Sequence, residues 1–221
     1  LRCSNCYHIS SDHWNVGCSV NPRYHHQEFV PSEINLPKAE TKKHVVILGG
    51  GPAGMKAAIT ASDRGHKVTI IEKQKELGGM LRFISKEAHK EEVQRLLDYY
   101  LTQIFKREIE VLLNTEADPE LVKELQPDSL LIAFGAVERI LPIPGVEGEK
   151  VQLATKAIAH PEQLGQNIVI LGGGSIGCEI GLELAENGKN VTILELTDTL
   201  AANANSLYRE ALRQKFLLHE N

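Results

Sequence analysis

HVVILGGGPAGM, residues 44–55, decides the fold of this chain. An apolar run passes without interruption into three glycines, and Pro52 then opens a helix-forming stretch. Such a run reads as a parallel strand buried on both faces, and the glycines read as the tight turn that leads into a helix. The helix continues through Lys56–Arg64 and ends at Gly65, and KVTIIEK (67–73) supplies the next strand. NIVILGGGSIGCE (167–179) repeats this layout. Gly49, Gly51 and Gly54 recur 123 residues later as Gly172, Gly174 and Gly177. Gly65 recurs as Gly188, Val68-Thr69-Ile70 as Val191-Thr192-Ile193, and Glu72 as Glu195.

Each element of this repeat has a physical task. The first glycine permits the tight turn, and the second lets the backbone approach a pyrophosphate. The third lets helix pack on strand, and the helix N-terminus offers amides and a positive dipole end to phosphates. The acid that ends the second strand, 23 residues past the first glycine in both copies, accepts hydrogen bonds from an adenosine ribose. A glycine turn in an α/β protein need not bind a nucleotide. Two copies, each between strand and helix and each followed by its acid, point to two dinucleotide sites on two Rossmann-like folds. The fold class is α/β. A carboxylate at Glu195 would repel a 2′-phosphate, which favours NADH over NADPH; the competing reading is an acid that merely caps its strand in solvent.

The rest of the chain agrees with this plan. HKEEVQRLLDYYLTQIFK has the three-and-four apolar spacing of an amphipathic helix, with residues 93, 96, 97, 100, 101, 104 and 105 on one face. EVLLN reads as a strand, and Asp118-Pro119-Glu120 as a helix start with an acceptor at the N-cap and proline at N1. SLLIAFG reads as a further buried strand, LPIPGVEGE as a crossing, and Asn205–His219 as a last helix. With 221 residues, 42% hydrophobic and 24% charged, the chain supports a sizeable core, and wholesale disorder is excluded. A formal net charge of −5 gives no general attraction to nucleic acid or anionic membrane, and no apolar stretch is long enough for a membrane span. The first residue is Leu1 rather than Met, which suggests a fragment or a processed product.

Residues 1–40 differ from all of this. They hold Cys3, Cys6 and Cys18, three of the four cysteines, together with His8, His13, His25, His26 and the only tryptophan, and they lack helical periodicity. Three cysteines crowded into 18 residues read as metal or redox chemistry in a reducing, cytoplasmic compartment. The expected organisation is a Cys/His-rich segment over 1–40, an FAD-type fold over 41–150, and the start of an NAD(P)-type fold over 151–221. Cys178, beside the second glycine turn, has no cysteine partner nearby and reads as a small packing residue.

Taken together, GGGPAGM, the acid Glu72, LGGML at 77–81, SLLIAFGA, IPGVEG, GGGSIGCE with Glu195, and Cys18-Ser19-Val20-Asn21-Pro22 resemble the C-terminal portion of the NADH:flavin oxidoreductase family. That family includes 2,4-dienoyl-CoA reductase and trimethylamine dehydrogenase. The resemblance implies FAD on Gly49, Gly51, Pro52, Ala53, Gly54, Glu72, Lys73, Gly79 and Met80. It implies NAD(H) on Gly172, Gly174, Ser175, Ile176, Gly177 and Glu195, with Glu179 toward the nicotinamide end. Gly78-Gly79 offers a further close approach for the flavin chain, and nothing comparable is expected after Glu195. The resemblance also implies a [4Fe-4S] cluster on Cys3, Cys6 and Cys18, although the family's usual form has four cysteines. A zinc site completed by His8 or His13, or an empty remnant, are the alternatives. An FMN-binding barrel elsewhere in the same polypeptide, receiving electrons by way of that cluster, would be the partner, and the full-length protein would be a homo-oligomer. The sequence departs from the family at Phe134, where relatives usually carry Thr. A non-catalytic scaffold that binds only ADP is therefore the second reading.

Overall fold

In the computed structural model, residues 6, 17–33, 35–87 and 90–219 are described. They fall into two compact units. One spans His26–Arg139, and the other spans Ile140 onward together with described residues before His26.

The first unit is built on a four-stranded parallel sheet, β1 (His44–Leu48), β2 (Lys67–Ile71), β3 (Ile109–Leu112) and β4 (Ser129–Ile132), in the order β3-β2-β1-β4. Strand β1 pairs in register with β2, His44 facing Lys67 and Leu48 facing Ile71, and on its other side with β4. Both faces of β1 and β2 are covered, which accounts for their continuous apolar sequence. Ile47 and Ile70 pack with Met55, Ala58 and Ile59 of α1 (Pro52–Asp63), together with Leu97, Tyr100 and Ile104 from a later helix. Val46, Leu48 and Ile71 face the opposite way, against Leu121, Val122 and Leu125 of the helix that precedes β4. These are the two layers of a doubly wound fold.

Local chemistry fixes the ends of the helices. Helix α1 begins with Pro52 at its first position, and Gly65, at φ +94°, turns the chain out of it. The short α2 (Leu81–Ile84) leads to α3 (Glu91–Phe105), which buries Leu97, Tyr100 and Ile104 as the apolar spacing predicts. Phe105 departs from that prediction. It sits in the last turn of α3 and is 90% exposed, because the helix ends there. Helix α4 (Pro119–Leu125) is capped as read from the sequence, with the Leu121 amide donating to Asp118 Oδ1 at 2.8 Å. Arg107 holds Asp63 through two hydrogen bonds of 2.8 Å and so ties the segment after α3 to the end of α1.

Strand β4 is the main correction. Its apolar sequence predicts a buried strand, yet all four residues are exposed, Ile132 by 66%. Among the described residues it is an edge strand, paired only with β1.

The second unit contains α5 (Ala154–Ala159), β5 (Asn167–Leu171), α6 (Ser175–Glu186), β6 (Asn190–Leu194) and α7 (Ser206–Phe216). Strands β5 and β6 pair in parallel with Asn167 facing Asn190 and Leu171 facing Leu194. Their residues alternate between half-buried and exposed, unlike those of β1 and β2: one face of this two-stranded sheet carries α6. The core of this unit lies where α6 meets α7, with Cys178, Leu182, Ala201 and Leu212 together. No helix among the described residues is long and apolar enough to cross a membrane.

Candidate functional site

Each unit places a glycine turn between the end of its first strand and the start of the following helix. In the first, Gly49 adopts φ +106°, a conformation that costs a side-chain-bearing residue strain, and its amide donates to the Ile71 carbonyl at 2.8 Å. A Cβ on Gly54 would lie 1.9 Å from the Gly49 carbonyl oxygen, so only glycine allows the helix to start this close to the turn. The second turn repeats this geometry. Gly172 has φ +110° and donates to the Leu194 carbonyl at 2.9 Å, and a Cβ on Gly177 would meet the Gly172 oxygen at 2.0 Å. Neither α1 nor α6 has an acidic residue in its first turn, so the positive dipole end of each helix carries no acidic side chain of its own.

The two acids close the turns in the same manner. Glu72 is 7% exposed; its Oε2 accepts from the Gly50 amide at 2.7 Å and its Oε1 from the Gln74 amide at 2.8 Å. Glu195 Oε2 accepts from the Gly173 amide at 2.7 Å, and Oε1 accepts from the Thr197 amide at 2.9 Å and the Thr197 hydroxyl at 3.1 Å. Donation from the Thr197 and Gly173 amides and the Thr197 hydroxyl holds Glu195 below the usual carboxylate range. Each carboxylate oxygen can accept more than one hydrogen bond, so both acids are oriented by backbone and retain capacity for ribose hydroxyls.

A third element crosses each turn. In the first unit the Gly78 amide donates to the Gly50 carbonyl at 2.8 Å, and a Cβ on Gly79 would stand 3.0 Å from Gly51 Cα. Arg82 donates through Nε to the Leu77 carbonyl and pairs with Glu76, which pins this crossing. The expectation that nothing comparable follows Glu195 is corrected here. The Ala201 amide donates to the Gly173 carbonyl at 2.6 Å, and Leu200 meets the place of a Gly173 Cβ at 2.4 Å, as Leu77 meets that of Gly50 at 2.3 Å. The sequence lacks a glycine pair there, but Ala201 takes a positive φ of 50° in its stead. Carrying the 123-residue offset on from Leu77 to Leu200 would have exposed the match.

The remaining residues fall as follows. Pro52 and Ala53 form the first turn of α1, and Ser175 and Ile176 that of α6, with Ile176 63% exposed. Lys73 and Met80 are exposed beside the first crossing. Glu179 accepts from the Tyr208 hydroxyl, an α6–α7 pairing that the sequence did not suggest. Phe134 is 66% exposed; its Cα and the Ala133 carbonyl, not its ring, are what approach Gly49. Cys178 is fully buried, its thiol donating to the Gly173 carbonyl at 3.3 Å, and burial pushes its pKa up. It is an inert packing residue. Cys6 and Cys18 are half-buried free cysteines, while Cys3, His8 and His13 lie outside the described residues. Among the described residues no three His, Cys, Asp or Glu side chains group as a metal site.

Two strand–turn–helix cradles that only glycine permits, each with a carboxylate anchored across it, fit the diphosphate and ribose of a dinucleotide and define an FAD/NAD-binding protein. The chain belongs to the pyridine nucleotide-disulphide oxidoreductase family, which it matches over residues 43–219. It is similar to cinnamate reductase of Clostridium sporogenes, with 38% identity over 84% of this chain and 27% of that protein. It is equally similar to NADH oxidase of Thermoanaerobacter brockii, with 38% identity over 90% of this chain and 31% of that protein. A solved 2-naphthoyl-CoA reductase in complex with 2-naphthoyl-CoA superposes with a TM-score of 0.87 at 32% identity, covering 98% of this chain and 33% of that one. The chain thus spans about a third or less of the length of these relatives.

Proposed function

We propose that this chain is the nicotinamide- and flavin-binding part of a larger flavin oxidoreductase of the NADH:flavin oxidoreductase kind. The first cradle (Gly49, Gly51, Gly54, Glu72, Gly79) takes FAD and the second (Gly172, Gly174, Gly177, Glu195) takes NADH. FAD, when bound, supplies a two-electron acceptor for the hydride of NADH that can release electrons singly. The chain's own contribution is placement. The amides at the start of α1 and α6 hold the diphosphates, Glu72 and Glu195 orient the riboses, and the carboxylate of Glu195 disfavours a 2′-phosphate.

An iron–sulfur cluster would be held by Cys3, Cys6 and Cys18 and would supply single-electron transfer toward an FMN-binding barrel of the same polypeptide, whose substrate class would be an enoate or an unsaturated acyl thioester. The names of two relatives, cinnamate reductase and 2-naphthoyl-CoA reductase, support that substrate class. The observation that carries the reading is the duplicated cradle, in which Gly50 and Gly173 donate at the same 2.7 Å to the acid that ends the second strand of each fold.

The test is anaerobic purification of the full-length protein, followed by flavin, iron and sulfide analysis and titration with NADH. Stoichiometric FAD bleached by NADH, with iron and acid-labile sulfide present, is the expected result. FAD with zinc alone would sink the electron path. ADP alone at the first cradle would replace the enzyme with a nucleotide-binding scaffold, the reading that Phe134 and the incomplete cysteine set motivate.

A further inference from the structure

We infer that Asn203 is a built-in competitor for the diphosphate of the incoming nicotinamide dinucleotide, an inference that rests on the second cradle being the NADH site. Its Oδ1 accepts from the backbone amide of Ser175 at 2.9 Å, and its Nδ2 donates to the Ser175 hydroxyl at 3.2 Å. Ser175 is the first residue of α6, and its amide is one of the donors that a helix N-terminus presents to a phosphate. The same side-chain oxygen lies 3.5 Å from where a Cβ of Gly174 would stand, over the glycine that admits the diphosphate to the backbone. Asn203 therefore offers the amide a neutral carbonyl oxygen in place of a phosphate oxygen.

The first cradle lacks every part of this arrangement. The residue 123 positions before Ser175 is Pro52, which has no amide hydrogen, and the residue 123 positions before Asn203 is Met80, which has no acceptor of comparable strength. There the backbone of Gly79, not a side chain, closes over Gly51. Donor and acceptor are thus present together in one copy and missing together from the other. The difference follows the two ligands: a flavin stays bound, whereas a nicotinamide dinucleotide must leave after each turnover. A side chain that takes the Ser175 amide as the diphosphate departs occupies a donor the phosphate would otherwise use, and so lowers the net gain of holding the diphosphate. Asn203 is exposed, its anchoring neighbour Ala201 is buried, and Ala201 is held by its bond to the Gly173 carbonyl. The amide group can therefore rotate away while the crossing stays in place.

The experiment uses the full-length flavoprotein with ADP-ribose, which carries the diphosphate and cannot reduce the flavin. Asn203→Ala should tighten ADP-ribose about three- to tenfold in calorimetry, the worth of one competing amide hydrogen bond. It should also speed hydrogen exchange at the Ser175 amide in the unliganded protein, with ADP-ribose restoring protection. Asn203→Asp places a charged acceptor on the helix N-terminus. It should raise the melting temperature without ligand and weaken ADP-ribose by roughly tenfold, less at high salt. Unchanged or weaker binding in Asn203→Ala would overturn the inference and make Asn203 either a bystander or a ligand of the diphosphate. A wild-type protein that binds no ADP-ribose would instead overturn the dinucleotide reading of the second cradle, and the inference with it.

Discussion

The first and second glycine turns have nearly the same backbone and very different surroundings. Gly49 and Gly172 differ by 4° in φ, and the hydrogen bonds that close the two turns match within 0.1 Å. Around the first, β1 and β2 are sandwiched between helices and Glu72 is buried; the Ala133 amide donates to the Leu48 carbonyl at 2.8 Å, bringing the end of β4 under Gly49. Around the second, β5 and β6 stand half-exposed and Glu195 is only half-buried. The cradle is therefore a local object. Three glycines, a strand pair and one carboxylate fold it wherever they occur, and burial decides how much the fold loses when one of them is changed.

The third glycines should show what the copies share. Valine at Gly54 or Gly177 brings a Cβ to about 2 Å from a carbonyl oxygen, a clash that no rotamer relieves. Each substitution should cost about 3 kcal/mol or more and unfold its own unit, seen as loss of amide protection in that unit alone by hydrogen exchange. Equal losses in both copies are expected. A harmless valine at either position would mean that its helix does not start where the turn requires.

The first glycines should show where the copies part. Alanine at Gly49 would bear the strain of φ +106° and also a contact of 2.4 Å with the Ala133 carbonyl oxygen, whereas alanine at Gly172 meets nothing within 4 Å and bears the strain alone. Denaturant unfolding should give a loss of roughly 1–2 kcal/mol for Gly172→Ala and at least about 1 kcal/mol more for Gly49→Ala. Equal losses would show that β4 does not press on the first turn.

Much of this was legible in the sequence because it is local. Apolar runs ending in Gly-Gly-Gly, the acids at Glu72 and Glu195, Gly65 as a helix stop and Asp118 as a cap all act within a few residues or one strand pairing. The exposure of β4 was not legible, since SLLI reads the same whether or not another layer covers it. Nor was the crossing over the second turn. Its contacts lie 27 and 28 residues apart, Gly173 to Leu200 and Ser175 to Asn203, and Ala201 does with a positive φ what Gly78 does in the first copy. The pairing of Tyr208 with Glu179 escaped for the same reason: it joins two helices that the repeat describes one at a time.

The acids give the smallest and most diagnostic difference. A glutamine has one acceptor oxygen and one donor nitrogen, so it can serve only one of the two amides that each carboxylate now holds. At buried Glu72, Glu72→Gln should cost roughly 1–3 kcal/mol, because the carboxamide nitrogen would replace an acceptor in a buried site that holds the Gly50 amide. At half-buried Glu195 the Thr197 amide is exposed and can turn to solvent, so Glu195→Gln should cost less and should depend on pH. Glu195 titrates lower in the folded chain than in the unfolded one, chiefly through the Thr197 and Gly173 amides. Its contribution is then fully present above the ordinary carboxylate range and disappears as pH falls through the depressed folded value. Denaturant unfolding of wild type and Glu195→Gln should separate at neutral pH and converge on acidification. A gap that persists at the acid end would mean that the Gly173 and Thr197 amides are held by the shape of the loop and not by the charge of Glu195.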